Sequence, residues 1–136
     1  MGDKAFIDTN VLVYLYSWDE KEKQQAAYNA IENHDCIIST QIINEFCNVC
    51  IKKLGLSALE VRKAINEILA IFPLTLVDKR TINYAIELYG KYKYSYYDSL
   101  VISSALLSGC DYLLTEDMSN GQEIDEKITI TNIFKK

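Results

Sequence analysis

The chain has 136 residues, 49% of them hydrophobic, with 14 basic against 19 acidic side chains and a net charge of −5. This length suits one domain with a substantial core, which we expect to span residues 1–136. No apolar run reaches the roughly 18 residues of a membrane helix, and no apolar segment typical of a secretory signal follows Met1, so we expect a cytoplasmic protein without a membrane anchor. The acidic balance does not indicate a broad basic surface for nucleic acid, although it suits carboxylates grouped around a divalent cation.

Short apolar strands alternate with longer helices along the whole sequence. The apolar runs predict strands at 4–8, 36–38, 74–77, 112–114 and 128–130. Helical periodicity and capping signals predict helices at 10–16, 20–33, 40–54, 58–72, 79–92 and 96–108. Strands separated by helices indicate an α/β fold with a mostly parallel sheet of about five strands and helices on both faces, in three α/β/α layers.

Two of these helices are preceded by capping-box patterns. Asp19 is followed three residues later by Glu22, which predicts that Asp19 caps the second helix. Ser57 and Glu60 have the same spacing before the fourth helix. Both patterns predict where the helices begin.

Acidic residues recur where a parallel sheet brings strand ends and helix starts to one edge. Asp8 ends the first strand, and Asp117 follows the fourth strand directly after Glu116. Glu45 lies in the first two turns of the third helix, and Asp98 lies in the first turn of the last helix. Ligands bind at the carboxyl edge of the strands in open α/β sheets. We therefore expect carboxylates from four separate segments to meet there.

Each acid also has an ordinary structural explanation. Asp8 could cap the following helix, and Asp98 could be the third-position acid of a capping box. Glu45 could be a solvated residue at the border of the apolar helix face. Asp117 could belong to a turn, and Glu116 competes with it for the same role. Four acids at one predicted edge favour a shared site over four separate coincidences.

Crowded carboxylates raise one another's pKa values, and a hard divalent cation relieves the repulsion. His34 is the only histidine, and no Ser-His or Cys-His set is available for covalent catalysis. Cys47 and Cys50 lie in a predicted helix without a second pair to complete a zinc site, so we interpret them as packing residues. Water activated by a metal is therefore the economical mechanism for cleaving a phosphodiester.

The acidic segments resemble the four motifs of the PIN domain family, in the usual order. They are the segments 6–14, 39–46, 97–105 and 114–118. The length of the chain and the Ser-x-Gln-x-x-Asn-Glu-Phe form of the second segment most resemble VapC-like toxins of toxin–antitoxin pairs. The resemblance covers nearly the whole chain.

This resemblance implies an endoribonuclease that uses Mg²⁺ or Mn²⁺, is commonly a homodimer, and is held inactive by a cognate antitoxin whose tail occupies the acidic groove. The positions that match the family's metal-site acids are Asp8, Glu45, Asp98 and Asp117. Thr9 or Asn10, together with Thr115, would be supporting polar groups. Glu116 remains the alternative to Asp117 as the fourth acid.

Two other functions are compatible with parts of the pattern. Haloacid-dehalogenase-like phosphatases also place an aspartate at the end of the first strand, but they usually carry a second aspartate where this chain has Asn10. A non-catalytic or housekeeping PIN-like module for RNA processing or protein interaction would keep the fold. A tyrosine-rich segment at 91–97 could stack bases or receive an antitoxin helix, and half-buried rings at a helix connection explain it equally.

Overall fold

Strands and helices alternate along most of the chain in the computed structural model, which describes residues 3–135. The strands of this part are β1 (Lys4–Ile7), β2 (Asp35–Ser39), β3 (Leu74–Thr75), β4 (Tyr112–Leu114), β5 (Glu123–Ile124) and β6 (Ile128–Thr131). The helices are α1 (Thr9–Leu15), α2 (Lys21–Asn33), α3 (Thr40–Lys52), α4 (Ala58–Ile71), α5 (Lys79–Tyr92) and α6 (Tyr96–Leu107).

The strands form one sheet in the order β3-β2-β1-β4-β6-β5. Every neighbouring pair is parallel except β5 with β6, which is antiparallel. The predicted mostly parallel α/β sheet is therefore confirmed, and the central position of β1 places the end of this strand in the middle of the carboxyl edge.

The sheet has one strand more than the five that the sequence predicts. The additional strand, β5, contains only two residues, which is too short to give an alternating pattern. The turn after it places Asp125 and Glu126 in the left-handed region, with φ of 51° and 56°. Such turns are usually signalled by glycine or asparagine, so neither the strand nor its turn has a recognisable sequence signal.

Both faces of the central strand are covered. Ala5, Phe6 and Ile7 are each fully buried, although successive residues of a strand point to opposite faces. The most extensive helix contacts are those of α1 with α2 and α3, of α3 with α4, and of α5 with α6. In the range 3–135, no helix is long and apolar enough to cross a membrane.

The helix caps confirm one capping prediction and correct the other. Ser57 and Glu60 form a complete capping box at the start of α4. The prediction for Asp19 is wrong, because α2 begins at Lys21 and the N-cap is Glu20, whose side chain makes no capping hydrogen bond. The Glu20 N–H donates instead to the carbonyl of Ser17 at 3.1 Å. Asp19 therefore lies in the turn between α1 and α2.

Candidate active site

A cavity of about 730 Å³ opens at the carboxyl edge of the sheet. All four predicted acids line it, which brings together β1, α3, α6 and the segment after β4. The carboxylates among its described lining residues are Asp8, Asp19, Glu20, Glu45, Asp98, Glu116 and Asp117. Lys53 is the basic residue among the described residues that line the cavity. The cavity is therefore strongly acidic.

Asp8 is the most buried of these acids, and both of its oxygens accept hydrogen bonds. Oδ1 accepts from the Thr9 N–H at 2.8 Å, which caps α1, and Oδ2 accepts from the Thr115 hydroxyl at 2.7 Å. The capping explanation and the position in the cavity thus apply to the same side chain. Burial raises the pKa of Asp8 to about 6, the charges of Glu45 and Asp98 add to this effect, and the two hydrogen bonds oppose it.

Glu45 is held by two donors from different elements. Its Oε1 accepts from the Thr9 hydroxyl at 2.6 Å, and its Oε2 accepts from the Gln41 amide at 3.2 Å. The same Gln41 nitrogen donates to the carbonyl of Tyr97 at 3.2 Å. Gln41 thereby connects Glu45 to the first turn of α6. Sequence reasoning assigned no role to Gln41, although its spacing of four residues from Glu45 on one helix is a signal for such a contact.

Asp98 is half-buried in the first turn of α6. The Ser95 hydroxyl caps this helix by accepting from the Asp98 N–H at 3.1 Å, while the Asp98 carboxylate lines the cavity. Burial raises the pKa of Asp98, and the neighbouring charges of Asp117 and Glu45 raise it further against the opposing effect of Ser95. Asp8 and Asp98 are therefore both in an environment that disfavours their negative charge.

Asp117 is fixed by the polar residues that the sequence suggested as supporting groups. The Asn10 amide donates to Asp117 Oδ2 at 2.9 Å, and the Thr115 hydroxyl accepts from the Asp117 N–H at 3.2 Å. Thr115 also donates to Asp8, so a single hydroxyl joins the ends of β1 and β4. The side chain of Asp117 remains exposed at the cavity.

Glu116 is engaged in a different way. It accepts from the Tyr14 hydroxyl at 2.7 Å and from the Lys23 ammonium at 2.6 Å. Burial raises the pKa of Glu116, but the bonds from Lys23 and Tyr14 outweigh it, and the pKa is lowered overall. Lys23 thus neutralises Glu116, whereas Asp117 accepts from a neutral amide. The contacts of Tyr14 and Lys23 with Glu116 could not be predicted from the sequence, because both residues lie more than 90 positions from Glu116.

The cavity's donor set suits a hard divalent cation with remaining water ligands. Within residues 3–135, no group of three His, Cys, Asp or Glu side chains is arranged to hold a metal ion by itself. Mg²⁺ usually takes one or two carboxylates and keeps several waters. A cation beside Asp8 and Asp98 would offset the burial and repulsion that raise both pKa values. The residues present therefore fit Mg²⁺ or Mn²⁺.

The sequence model of the PIN domain matches residues 5–119. The chain belongs to the PIN domain family. This match includes all four predicted acids, Asp8, Glu45, Asp98 and Asp117. No curated protein sequence matches the chain significantly.

Solved structures share the fold of this PIN domain at low sequence identity. A toxin–antitoxin complex from Klebsiella pneumoniae has a TM-score of 0.73 at 19% identity, covering 95% of this chain and 97% of that chain. The DNA-bound VapBC complex from Salmonella typhimurium has a TM-score of 0.67 at 16% identity, with 98% and 99% covered. VapC20 from Mycobacterium tuberculosis, a toxin that cleaves the sarcin–ricin loop, has a TM-score of 0.65 at 14% identity, with 80% and 86% covered.

Proposed function

We propose that this PIN domain is an endoribonuclease that hydrolyses RNA phosphodiester bonds with bound Mg²⁺ or Mn²⁺. The observation that carries the proposal is the convergence of four acids from separate segments on one cavity. Two of them, Asp8 and Asp98, have pKa values raised by burial and by neighbouring negative charges. Perturbed carboxylates grouped in a cleft are typical of functional sites rather than of solvated surfaces.

In this proposal, Asp8, Asp98 and Asp117 hold the cation, and Glu45 completes the acidic set. A divalent cation supplies an activated water and stabilises charge on the phosphodiester. The bonds from Thr9 and Gln41 keep Glu45 in one orientation, which suits a residue that orders water near the reacting phosphate.

The polar residues around the acids act as positioning groups. Thr9 and Thr115 orient Glu45 and Asp8, and Asn10 orients Asp117. Hydrogen bonds of this kind fix the direction of metal ligands and raise their affinity for metal. Pairing with Lys23 balances the charge of Glu116 within the protein, which supports Asp117 as the fourth acid.

We further propose that the protein is the toxin of a toxin–antitoxin pair and acts in the cytoplasm. Its fold is shared with the toxin–antitoxin complex from Klebsiella pneumoniae and with VapC20, which cleaves the sarcin–ricin loop. The acidic cavity is electrostatically complementary to a basic peptide segment, such as the tail of an antitoxin. Occupation of the cavity by that segment would block both metal and RNA.

A homodimer is the assembly that we propose for the toxin. Helix α5 buries Thr81, Ala85 and Leu88. Beside this buried face, α5 exposes the apolar side chains of Ile82, Ile86 and Tyr89, whose spacing of four and three residues forms one stripe. An exposed apolar stripe of this kind is suited to association with a second copy.

The decisive experiment is cleavage of a structured RNA pool by the purified protein with Mn²⁺ and with EDTA. We expect cleavage with Mn²⁺, none with EDTA, and none by the Asp98→Asn variant. Asp111→Asn is the matched control, because Asp111 lies before β4, at the opposite edge, where it accepts from the Lys4 N–H. Cleavage that survives Asp98→Asn would contradict the proposal. A folded wild-type protein that binds Mn²⁺ without cutting any RNA would instead support the non-catalytic module.

A further inference from the structure

We propose that Tyr97, with a small cavity beside it, binds the base of the RNA nucleotide that flanks the scissile phosphate. The inference rests on the proposed ribonuclease function and adds a base-binding subsite to it. The roles proposed above for the metal-site acids and their supporting groups give no function to Tyr97 or Asn44. It stands on the exposure of one tyrosine, its fixed position, and the chemistry of the second cavity.

Tyr97 differs from the other tyrosines of its segment. The hydroxyl of Tyr92 donates to Asp125 Oδ1 at 2.8 Å, and that of Tyr94 donates to Gln122 Oε1, so both rings are part of the internal packing. Tyr96 is half-buried. Tyr97 exposes 65% of its surface, directly before Asp98. Half-buried rings at a helix connection therefore explain Tyr92, Tyr94 and Tyr96, but they do not explain Tyr97.

The ring of Tyr97 is exposed but held in place. Its backbone carbonyl accepts from the buried Gln41 amide at 3.2 Å. Its ring packs edge-on against Tyr96, with centroids 5.5 Å apart and an interplanar angle of 68°. Because a tyrosine has only two side-chain torsions and this ring already contacts a neighbour, Tyr97 loses little conformational entropy when a flat ligand stacks on it.

Tyr97 and Glu45 line two cavities, the acidic one and a second one of about 400 Å³. The described residues that line the second cavity are Thr40, Gln41, Asn44, Glu45, Val77 and Tyr97. Apart from Glu45 these are uncharged. The exposed amide of Asn44 can both donate and accept, as the edge of a base requires. A nucleotide whose phosphate lies among the acids would therefore place an adjacent base beside Tyr97.

The charge of the protein favours a contact whose affinity does not come from the phosphates. Proteins usually gain affinity for nucleic acid from Lys and Arg at the phosphates. Here the net charge is −5, and the acidic cavity has seven carboxylates with Lys53 as their basic neighbour among the described lining residues. Stacking of a base on an aromatic ring supplies affinity that does not depend on positive charge. Tyr97 offers that ring beside the acids.

Fluorescence anisotropy with a 5′-fluorescein single-stranded RNA 12-mer of mixed sequence tests the proposal in the Asp98→Asn background with Mn²⁺. We expect Tyr97→Leu to weaken binding roughly fivefold to hundredfold, the range of one lost base stack. Tyr97→Phe keeps the ring and should bind within about twofold of the parent. Tyr28→Leu is the matched control, because Tyr28 exposes 54% of its surface on α2 and lines neither cavity.

Cleavage by variants that retain Asp98 provides a second readout, the base distribution beside the cut, which would not change if Tyr97 and Asn44 were merely structural. Sequencing of the cut ends should show a changed base distribution beside the cut for Asn44→Ala and an unchanged one for Tyr28→Leu. An RNA with an abasic position beside the cut should be bound equally well by the parent and the Tyr97→Leu protein. Thermal unfolding of each variant establishes that it is folded.

Unchanged RNA affinity for a folded Tyr97→Leu variant would overturn the base subsite while leaving the ribonuclease intact. The subsite would be overturned equally if Tyr97→Leu impaired binding of the abasic RNA as strongly as binding of the complete RNA. Failure of the wild-type protein to bind or cut any RNA would contradict the proposed function itself. The two failures are distinguished by wild-type activity.

Discussion

Asp8 and Asp125 show how two surroundings give the same side chain opposite properties. Asp8 is buried beside two other acids, and its pKa is raised to about 6. Asp125 lies in the turn after β5, where Lys91 and Tyr92 donate to its Oδ1 at 2.8 Å and Tyr84 donates to its Oδ2 at 2.6 Å. These partners, Lys91 foremost, lower the pKa of Asp125 to about 2.

The difference indicates which carboxylate serves the fold and which serves a ligand. The charge of Asp125 is balanced within the protein, and its bonds attach the turn to α5. The charge of Asp8 is balanced by no cation among the described residues that the structure brings to it, so the protein alone does not stabilise its ionised form. An external divalent cation would do so. Asp→Asn substitutions at the two positions separate these roles.

The largest expected effect is on RNA cleavage. We expect Asp8→Asn to reduce the rate of Mn²⁺-dependent cleavage at least about a hundredfold, because it removes a charged ligand at the reacting centre. Asp125→Asn should leave the rate within about twofold, since Asp125 does not line the cavity. Comparable losses for both variants in a single-turnover assay would contradict the separation.

The next effect concerns a positioning group. Asn10→Ala removes the amide that donates to Asp117, and we expect about a tenfold to hundredfold loss of Mn²⁺ affinity. Asn29→Ala is the control, because Asn29 accepts from Gln25 on the exposed face of α2. Isothermal titration with Mn²⁺ measures the affinity, and equal affinities for the two variants would exclude a positioning role for Asn10.

For the stability of the metal-free protein we expect a smaller effect, and Asp8→Asn should produce a gain there, not a loss. The pKa of Asp8 is raised in the folded state, so the folded protein binds this proton more tightly than the unfolded chain. The free energy of unfolding should therefore fall as the pH rises from about 4 to about 6. Above this window, Asp8→Asn should be more stable than wild type by about 1–2 kcal/mol in urea unfolding with EDTA. A less stable Asp8→Asn variant at pH 7 would show that burial does not destabilise the ionised form of Asp8.

The smallest effect is expected at Asp125. Asp125→Asn should destabilise the protein by about 1 kcal/mol at neutral pH, because solvent screens the ion pair with the exposed Lys91 while the tyrosine bonds are weakened. The folded-state pKa of Asp125 is lowered, so this contribution is present above about pH 4 and is lost as the pH falls through about 2. Urea unfolding at several acidic pH values checks this. A difference from wild type that grows as the pH falls would contradict it.

The strands and the edge that they share were predictable, because local patterns determine both. The apolar runs at β1 and β4 end at Asp8 and shortly before Asp117, and parallel topology brings those ends together. Helical periodicity and capping signals place Glu45 and Asp98 near helix starts. The positions of these acids at the cavity therefore follow from short-range sequence and a general rule of sheet architecture.

Other parts of the site were not predictable because they depend on long-range or irregular contacts. The ion pair of Lys23 with Glu116 joins α2 to the segment after β4 without any periodic signal. The capping pattern at Asp19 failed because the turn from Ser17 to Glu20 delays the start of α2. The exposure of Tyr97 among packed tyrosines is likewise a tertiary property.

Isothermal titration of Mn²⁺ into the metal-free wild-type, Asp8→Asn and Asp125→Asn proteins at pH 7 tests most directly whether the acidic cavity binds metal. We predict that wild type and Asp125→Asn bind Mn²⁺ with the same affinity, and that Asp8→Asn loses about tenfold or more. Undiminished Mn²⁺ binding by Asp8→Asn, with its fold verified by circular dichroism, would contradict the claim that the cavity at the carboxyl edge is the metal centre.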